Sequence, residues 1–117
     1  MTREEMKART KAYAVRIVKL VQALPRNREC DILGGQLLRA GTSVGANYRA
    51  VCRAKSTADF INKLRIVEEE CDESLFWMEI LTETGLVKSS RLRNLMLEGE
   101  EILRIVVSSA KTARTSP

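Results

Sequence analysis

The chain has 117 residues, 20 Lys plus Arg against 15 Asp plus Glu, a formal net charge of +5 and no histidine. That length suits one domain, and 44% hydrophobic with 30% charged residues is a globular composition, not a disordered one. The missing histidine excludes Ser-His-Asp and Cys-His catalysis and any histidine-ligated metal.

Apolar residues recur at helical spacing over four segments, about 3–24, 31–55, 57–84 and 89–112, and no alternating strand pattern occurs. In the first, Tyr13, Ile17, Val21 and Leu24 form a stripe widened by Ala14 and Val18, and Pro25 stops it. The second is expected to start at Asp31 as N-cap and to carry a heptad seam of Leu33, Leu37, Ala40, Val44, Asn47 and Val51. Gly34, Gly35, Gly41 and Gly45 fall inside it, each costing up to about 1 kcal/mol relative to alanine. Gly41 and Gly45, with Ser43 and Ala46, therefore point to a close helix–helix contact, inside the bundle or between subunits. A kink at Gly34-Gly35 is the competing reading.

Ser56 or Thr57 caps the third helix, which carries Phe60, Leu64, Val67, Cys71, Leu75, Met78 and Leu81, with Gly85 as its C-terminal cap. The fourth opens at Ser89 or Ser90 and presents Leu92, Leu95, Gly99, Ile102, Val106 and Ala110 on one face, and the tail from Thr112 to Pro117 is expected to fray. Short connections make neighbours antiparallel, so residues 1–117 read as a single all-α domain, an up-down-up-down four-helix bundle.

Charge is unevenly spread. Residues 1–28 carry eight basic and two acidic side chains, whereas residues 56–85 carry two basic and eight acidic. An acidic helix among basic ones suits charge pairing within or between subunits, with surplus positive charge for a polyanion. Asn47 on the apolar seam needs partners; Ser43, Lys63, Glu70 and Glu73 are the candidates by spacing, and a structural network outweighs a catalytic one. Consecutive Glu68-Glu69-Glu70 fan around a helix, and carboxylate di-metal bundles use Glu-x-x-His, so the acidic run reads as a solvated or salt-bridged face and no metal or other cofactor is expected. Arg49, Arg53, Lys63 and Arg65 are its candidate counterions. Cys30, Cys52 and Cys71 are odd in number and widely spaced, which fits reduced thiols better than disulfides or a metal knuckle. Trp77 beside Phe76 reads as a packing residue. No apolar run reaches a membrane-spanning length and no signal-peptide core follows the charged start, so a cytoplasmic location without membrane contact is expected.

Three strings carry a family resemblance: Gln36-Leu37-Leu38-Arg39-Ala40-Gly41-Thr42-Ser43-Val44-Gly45-Ala46-Asn47-Tyr48-Arg49, the run Arg53-Ala54-Lys55-Ser56 leading to Asp59-Phe60-Ile61-Asn62-Lys63-Leu64, and Glu69-Glu70-Cys71-Asp72-Glu73-Ser74 before Phe76-Trp77-Met78-Glu79-Ile80-Leu81. Together they resemble the four-helix bundle proteins encoded in intervening sequences of bacterial 23S rRNA genes, over about residues 10–113. Val51 and Cys52 depart from the family pattern, which carries Glu or Ala there. The resemblance implies a small cytoplasmic bundle without enzymatic activity, assembled as a ring-shaped homopentamer. It also implies kinship with the accessory proteins of diversity-generating retroelements, basic pentamers that bind nucleic acid and a reverse transcriptase.

The expected function is thus a non-enzymatic, homo-oligomeric module that binds RNA or DNA. Arg3, Lys7, Arg9, Lys11, Arg16, Lys19, Arg104, Lys111 and Arg114 are its candidate contacts, and Gly41, Ser43, Gly45, Asn47, Lys63, Glu70 and Glu73 its assembly or structural network. Repeating the basic residues around a ring would sum to a field that attracts phosphate without reading sequence. A protein-interaction scaffold, such as an accessory subunit for a reverse transcriptase, is the alternative, and an enzyme with metal on the acidic helix ranks below both.

Overall fold

The computed structural model describes residues 1–115. They form four helices, α1 (Arg3–Gln22), α2 (Arg28–Val51), α3 (Thr57–Glu83) and α4 (Ser89–Thr115), with no strand among the described residues. At 1.5 Å per residue these helices run roughly 30–40 Å, and the molecule measures 51 × 19 × 19 Å, so all four lie along the long axis. Each packs on its sequence neighbour and α4 closes against α1, leaving α1 and α3 on one diagonal and α2 and α4 on the other. The result is an all-α, up-down-up-down four-helix bundle.

The helix limits follow from local chemistry. Thr2 and Glu5 form a reciprocal capping box on α1. That helix stops at Gln22, two residues short of the expected end, because Pro25 pushes the residue before it out of helical geometry. The α2 N-cap is Asn27 and not Asp31: the Asn27 Oδ1 accepts the Cys30 amide at 2.8 Å, and Asp31 sits within the first turn. The far end of α2 is Val51 and not Lys55. Ser56 is extended as the α3 N-cap, and Asp59 accepts the Lys55 amide at 3.0 Å, so residues 52–56 belong to the turn. Gly85, at φ +75°, terminates the α3 region as expected. Helix α4 runs on to Thr115, past the expected fraying at Thr112, while Ser116 and Pro117 lie outside the described residues.

Helix α2 passes unbroken through Gly34-Gly35. A Cβ at Gly34 would stand 2.8 Å from Leu24, one at Gly41 2.7 Å from both γ-carbons of Ile17, and one at Gly45 3.1 Å from the Thr10 carbonyl oxygen. All three glycines therefore face α1, and the close contact they make is internal to the bundle. On the opposite flank, a Cβ at Gly99 of α4 would meet the Tyr13 hydroxyl at 2.7 Å. Tyr13 is fully buried and its hydroxyl shares a 2.8 Å hydrogen bond with Ser74 of α3. Ser74 also donates to the Cys71 carbonyl at 2.7 Å, and the Cys71 thiol donates to the Gly99 carbonyl at 3.3 Å. This polar seam ties α1, α3 and α4 together at mid-bundle, and every buried side-chain N or O among the described residues is partnered.

Aliphatic side chains fill the remainder. The six apolar or small positions expected on α4 are the six buried ones. On α2, Leu37, Ala40, Val44 and Val51 are buried as expected, but Tyr48, not Asn47, takes the buried position between the last two, and Leu33 is half-buried. Cys30, Cys52 and Cys71 are unpaired thiols, two of them buried, and burial pushes the Cys71 thiol up to about 12.

The glycine contacts give opposite outcomes for one substitution. Gly41→Ala should destabilise the fold by about 1 kcal/mol or more, because overpacking against Ile17 outweighs the gain in helix propensity. Gly35→Ala, with no atom within 4 Å of the new methyl, should stabilise it by about 0.5–1 kcal/mol. Urea denaturation of both variants reads the two signs.

Candidate nucleic-acid interface

The basic residues lie mainly on α1 and α4, and the register between these helices decides which ones meet. Arg9 and Glu98 set that register through a two-pronged ion pair, Nε to Oε2 at 2.7 Å and Nη2 to Oε1 at 2.8 Å, each side chain about one-quarter exposed. Arg16 lies seven residues after Arg9 and Arg91 seven before Glu98, so the antiparallel pair meets again two turns along. There Arg16, Lys19 and Arg91 line a shared hollow of about 400 Å³ with Asn94 and Leu95. None of these three cations makes an ion pair among the described residues. They form a positive cluster open to solvent, suited to the closely spaced charges of a phosphate backbone.

The other candidate contacts divide. Lys11, Lys111 and Arg114 are exposed and Lys7 is half-buried. Arg9 is held by Glu98, and Arg104 is paired with Glu101 at 2.8 Å. Arg3 stacks on the Phe60 ring with its guanidinium carbon 4.7 Å from the centroid. Lys111 and Arg114 lie on the last turns of α4, at the end of the bundle where α1 starts, away from Arg16 and Lys19. The nine expected residues thus do not converge on one patch. Arg91, absent from the expectation, completes the cluster that does form.

The expected network around Asn47 separates into local contacts. Asn47 is off the core seam, and its side-chain amide donates to the Ser43 carbonyl at 2.8 Å, while the Ser43 hydroxyl donates to the Arg39 carbonyl at 2.7 Å. Lys63 pairs with Asp59 at 2.6 Å, one turn away on its own helix. Glu70 and Glu73 both meet Arg39 of α2, a counterion missing from the expected set; the Arg39–Glu70 distance is 3.2 Å. Glu73 also accepts the Trp77 indole N–H at 3.0 Å, and these two hydrogen bonds hold its carboxyl below the usual carboxylate range. Trp77 is half-buried against the bundle and meets Phe76 edge-to-face at 5.0 Å, which is packing geometry. Gly41 and Gly45 are buried against α1 and unavailable to another subunit. No group of three or more Cys, Asp or Glu side chains converges as a metal site among the described residues, and no helix there is long and apolar enough to cross a membrane.

The outer surface is therefore divided by charge, with basic α1 and α4 adjacent and acidic α3 diagonal to α1. With that arrangement in view, the comparison with known proteins is informative. The model of the 23S rRNA-intervening sequence protein family matches residues 4–108. The chain belongs to that family. It is also similar to a solved structure of an S23 ribosomal protein family member of unknown function from Bacteroides thetaiotaomicron VPI-5482, with 35% identity, a TM-score of 0.87, and coverage of 95% of this chain and 99% of that one. No curated protein matches.

The Arg9–Glu98 pair makes stability depend on pH. The Arg9 hydrogen bonds lower the Glu98 pKa from 4.5, so its contribution is present above that value and is lost as pH falls through the lowered one. Glu98→Gln should cost about 1 kcal/mol at neutral pH. The variant should also show a shallower loss of stability below pH 4.5, read by thermal unfolding across pH.

Proposed function

We propose that this member of the family is a cytoplasmic, non-enzymatic, homo-oligomeric module that binds nucleic acid, RNA before DNA, through the α1–α4 face. The observation that carries the reading is the convergence of Arg16, Lys19 and Arg91, none of which makes a close ion pair among the described residues, while the neighbouring Glu98 is engaged by Arg9. Exposed Lys11 extends the surface along α1. Few aromatics are present, so recognition rests on phosphate charge and not on base stacking.

Assembly follows the same charge division. Helix α3 presents Glu69, Asp72 and Glu79 beside exposed Ile66 and Phe76, a surface suited to a basic face of a neighbouring copy that lies outside the cluster of Arg16, Lys19 and Arg91. Two different but complementary faces make a heterologous contact, which closes into a ring when the rotation allows. The reading is a homopentamer, and light scattering after size exclusion would report about 66 kDa, five times the 13.2 kDa chain. The exposed apolar residues of α3 also favour a second reading, a scaffold that docks another protein such as a reverse transcriptase.

Mobility shifts with a structured RNA at low and moderate salt test the function. Replacing Arg16, Lys19 and Arg91 together by alanine should weaken binding at least about tenfold and lower the slope of log K against log salt by about 2–3. Unchanged affinity in that variant, or no binding by the unmodified protein at low salt, would contradict it.

A further inference from the structure

A second hollow of about 620 Å³ lies at the other end of the bundle, between the start of α1 and the last turns of α4. It is some 20 Å along α1 from the Arg16 cluster, at 1.5 Å per residue. Met6, Tyr48, Phe60 and Ile105 supply its apolar lining, and Arg3, Glu101 and Arg104 stand at its rim. Its volume falls in the range of small-molecule sites, roughly 300–1,000 Å³. Size alone assigns nothing, but one side chain does.

Tyr48 is only 5% exposed, it lines the hollow, and its hydroxyl has no hydrogen-bond partner among the described residues. Tyr13, the other tyrosine, has its hydroxyl bonded to Ser74. Every fully buried side-chain N or O among the described residues is partnered, so the Tyr48 hydroxyl is the solvent-reached tip of an otherwise buried ring. At Tyr48 the missing partner corresponds to the open side of the hollow. Burial pushes the phenol up and Arg3 acts on it in the opposite direction, so at neutral pH the hydroxyl remains protonated and offers a donor.

The rim fixes the sign of the ligand. Among the described residues Arg3 touches the Phe60 ring and pairs with no carboxylate, while Arg104 shares Glu101 in an exposed i,i+3 pair. Two guanidinium groups face one carboxylate, leaving one positive charge over an apolar floor. We propose that this hollow is a binding site for an organic monoanion with an aromatic or bulky aliphatic body, its anionic group held at Arg3 and Arg104 and met by the Tyr48 hydroxyl.

The test uses two probes with one aromatic body, anilinonaphthalene sulfonate and the neutral phenylnaphthylamine, titrated into the intact chain and followed by amide chemical shifts. The expected result is saturable binding of one sulfonate probe per chain, about tenfold tighter than the neutral one. The shifts should centre on Met6, Tyr48 and Ser109. Arg3→Gln should bring the sulfonate to the affinity of the neutral probe, Tyr48→Phe should weaken it severalfold, and Arg16→Ala should leave it unchanged. Equal affinity for the two probes, or shifts centred elsewhere on the bundle, overturns the proposal on the unmodified protein without relying on any variant. Undiminished binding by Arg3→Gln and Tyr48→Phe, each with the melting temperature of the parent, overturns it as well.

Discussion

Everything on the outer face of this bundle depends on how closely α1 can approach its neighbours. Gly34, Gly41 and Gly45 on α2 and Gly99 on α4 each receive a group from α1: Leu24 just beyond its end, then Ile17, the Thr10 backbone and Tyr13. A methyl at three of these positions would meet the arriving atom inside 3.0 Å. The helix-propensity cost of glycine is thus balanced by burial of α1 against two flanks. Thr10 answers the same demand locally, its buried hydroxyl donating to the Met6 carbonyl at 2.9 Å so that the tight contact leaves no unsatisfied group.

Seating α1 in this way fixes the electrostatics. Tyr13 reaches across the core to Ser74, which sets the rotation of α1 about its axis, and Arg9 meets Glu98, which sets its height against α4. Rotation and height together determine that Arg16 and Lys19 share a hollow with Arg91. The acidic α3 lies diagonal to α1, and its Glu70 and Glu73 are paired with Arg39 of α2. A chain with a modest net charge thereby presents a locally strong positive field.

The fold was largely legible in the sequence because aliphatic residues at helical spacing leave few alternatives once Pro25 and Gly85 mark the turns. The α4 stripe could be read residue by residue. Helix α2 was harder. Glycines contribute to its buried face as fully as Val44 or Leu37, yet hydrophobic periodicity assigns them no weight, so the seam reads correctly at Leu37, Ala40, Val44 and Val51 but puts Asn47 where Tyr48 belongs. Helix limits at Asn27 and Val51 rest on side-chain caps that several nearby polar residues could have supplied. The candidate site was legible only in part. Counting charges found Arg16 and Lys19, but joining them to Arg91 requires the α1–α4 register, which no local pattern encodes. The end hollow was invisible in sequence, since Arg3, Tyr48, Phe60 and Arg104 come from four helices and meet only when the bundle closes.

The central claim is that the seating of α1 creates a nucleic-acid-binding face shared with α4. Amide hydrogen exchange measured with and without a structured RNA addresses it most directly, because it reports where contact occurs without altering any residue. The account predicts added protection on the α1 and α4 segments around Arg16 to Leu20 and Arg91 to Leu95, with α3 around Glu69 to Phe76 unchanged in the same assembly state. Protection confined to α3, or none at saturating RNA, would contradict it.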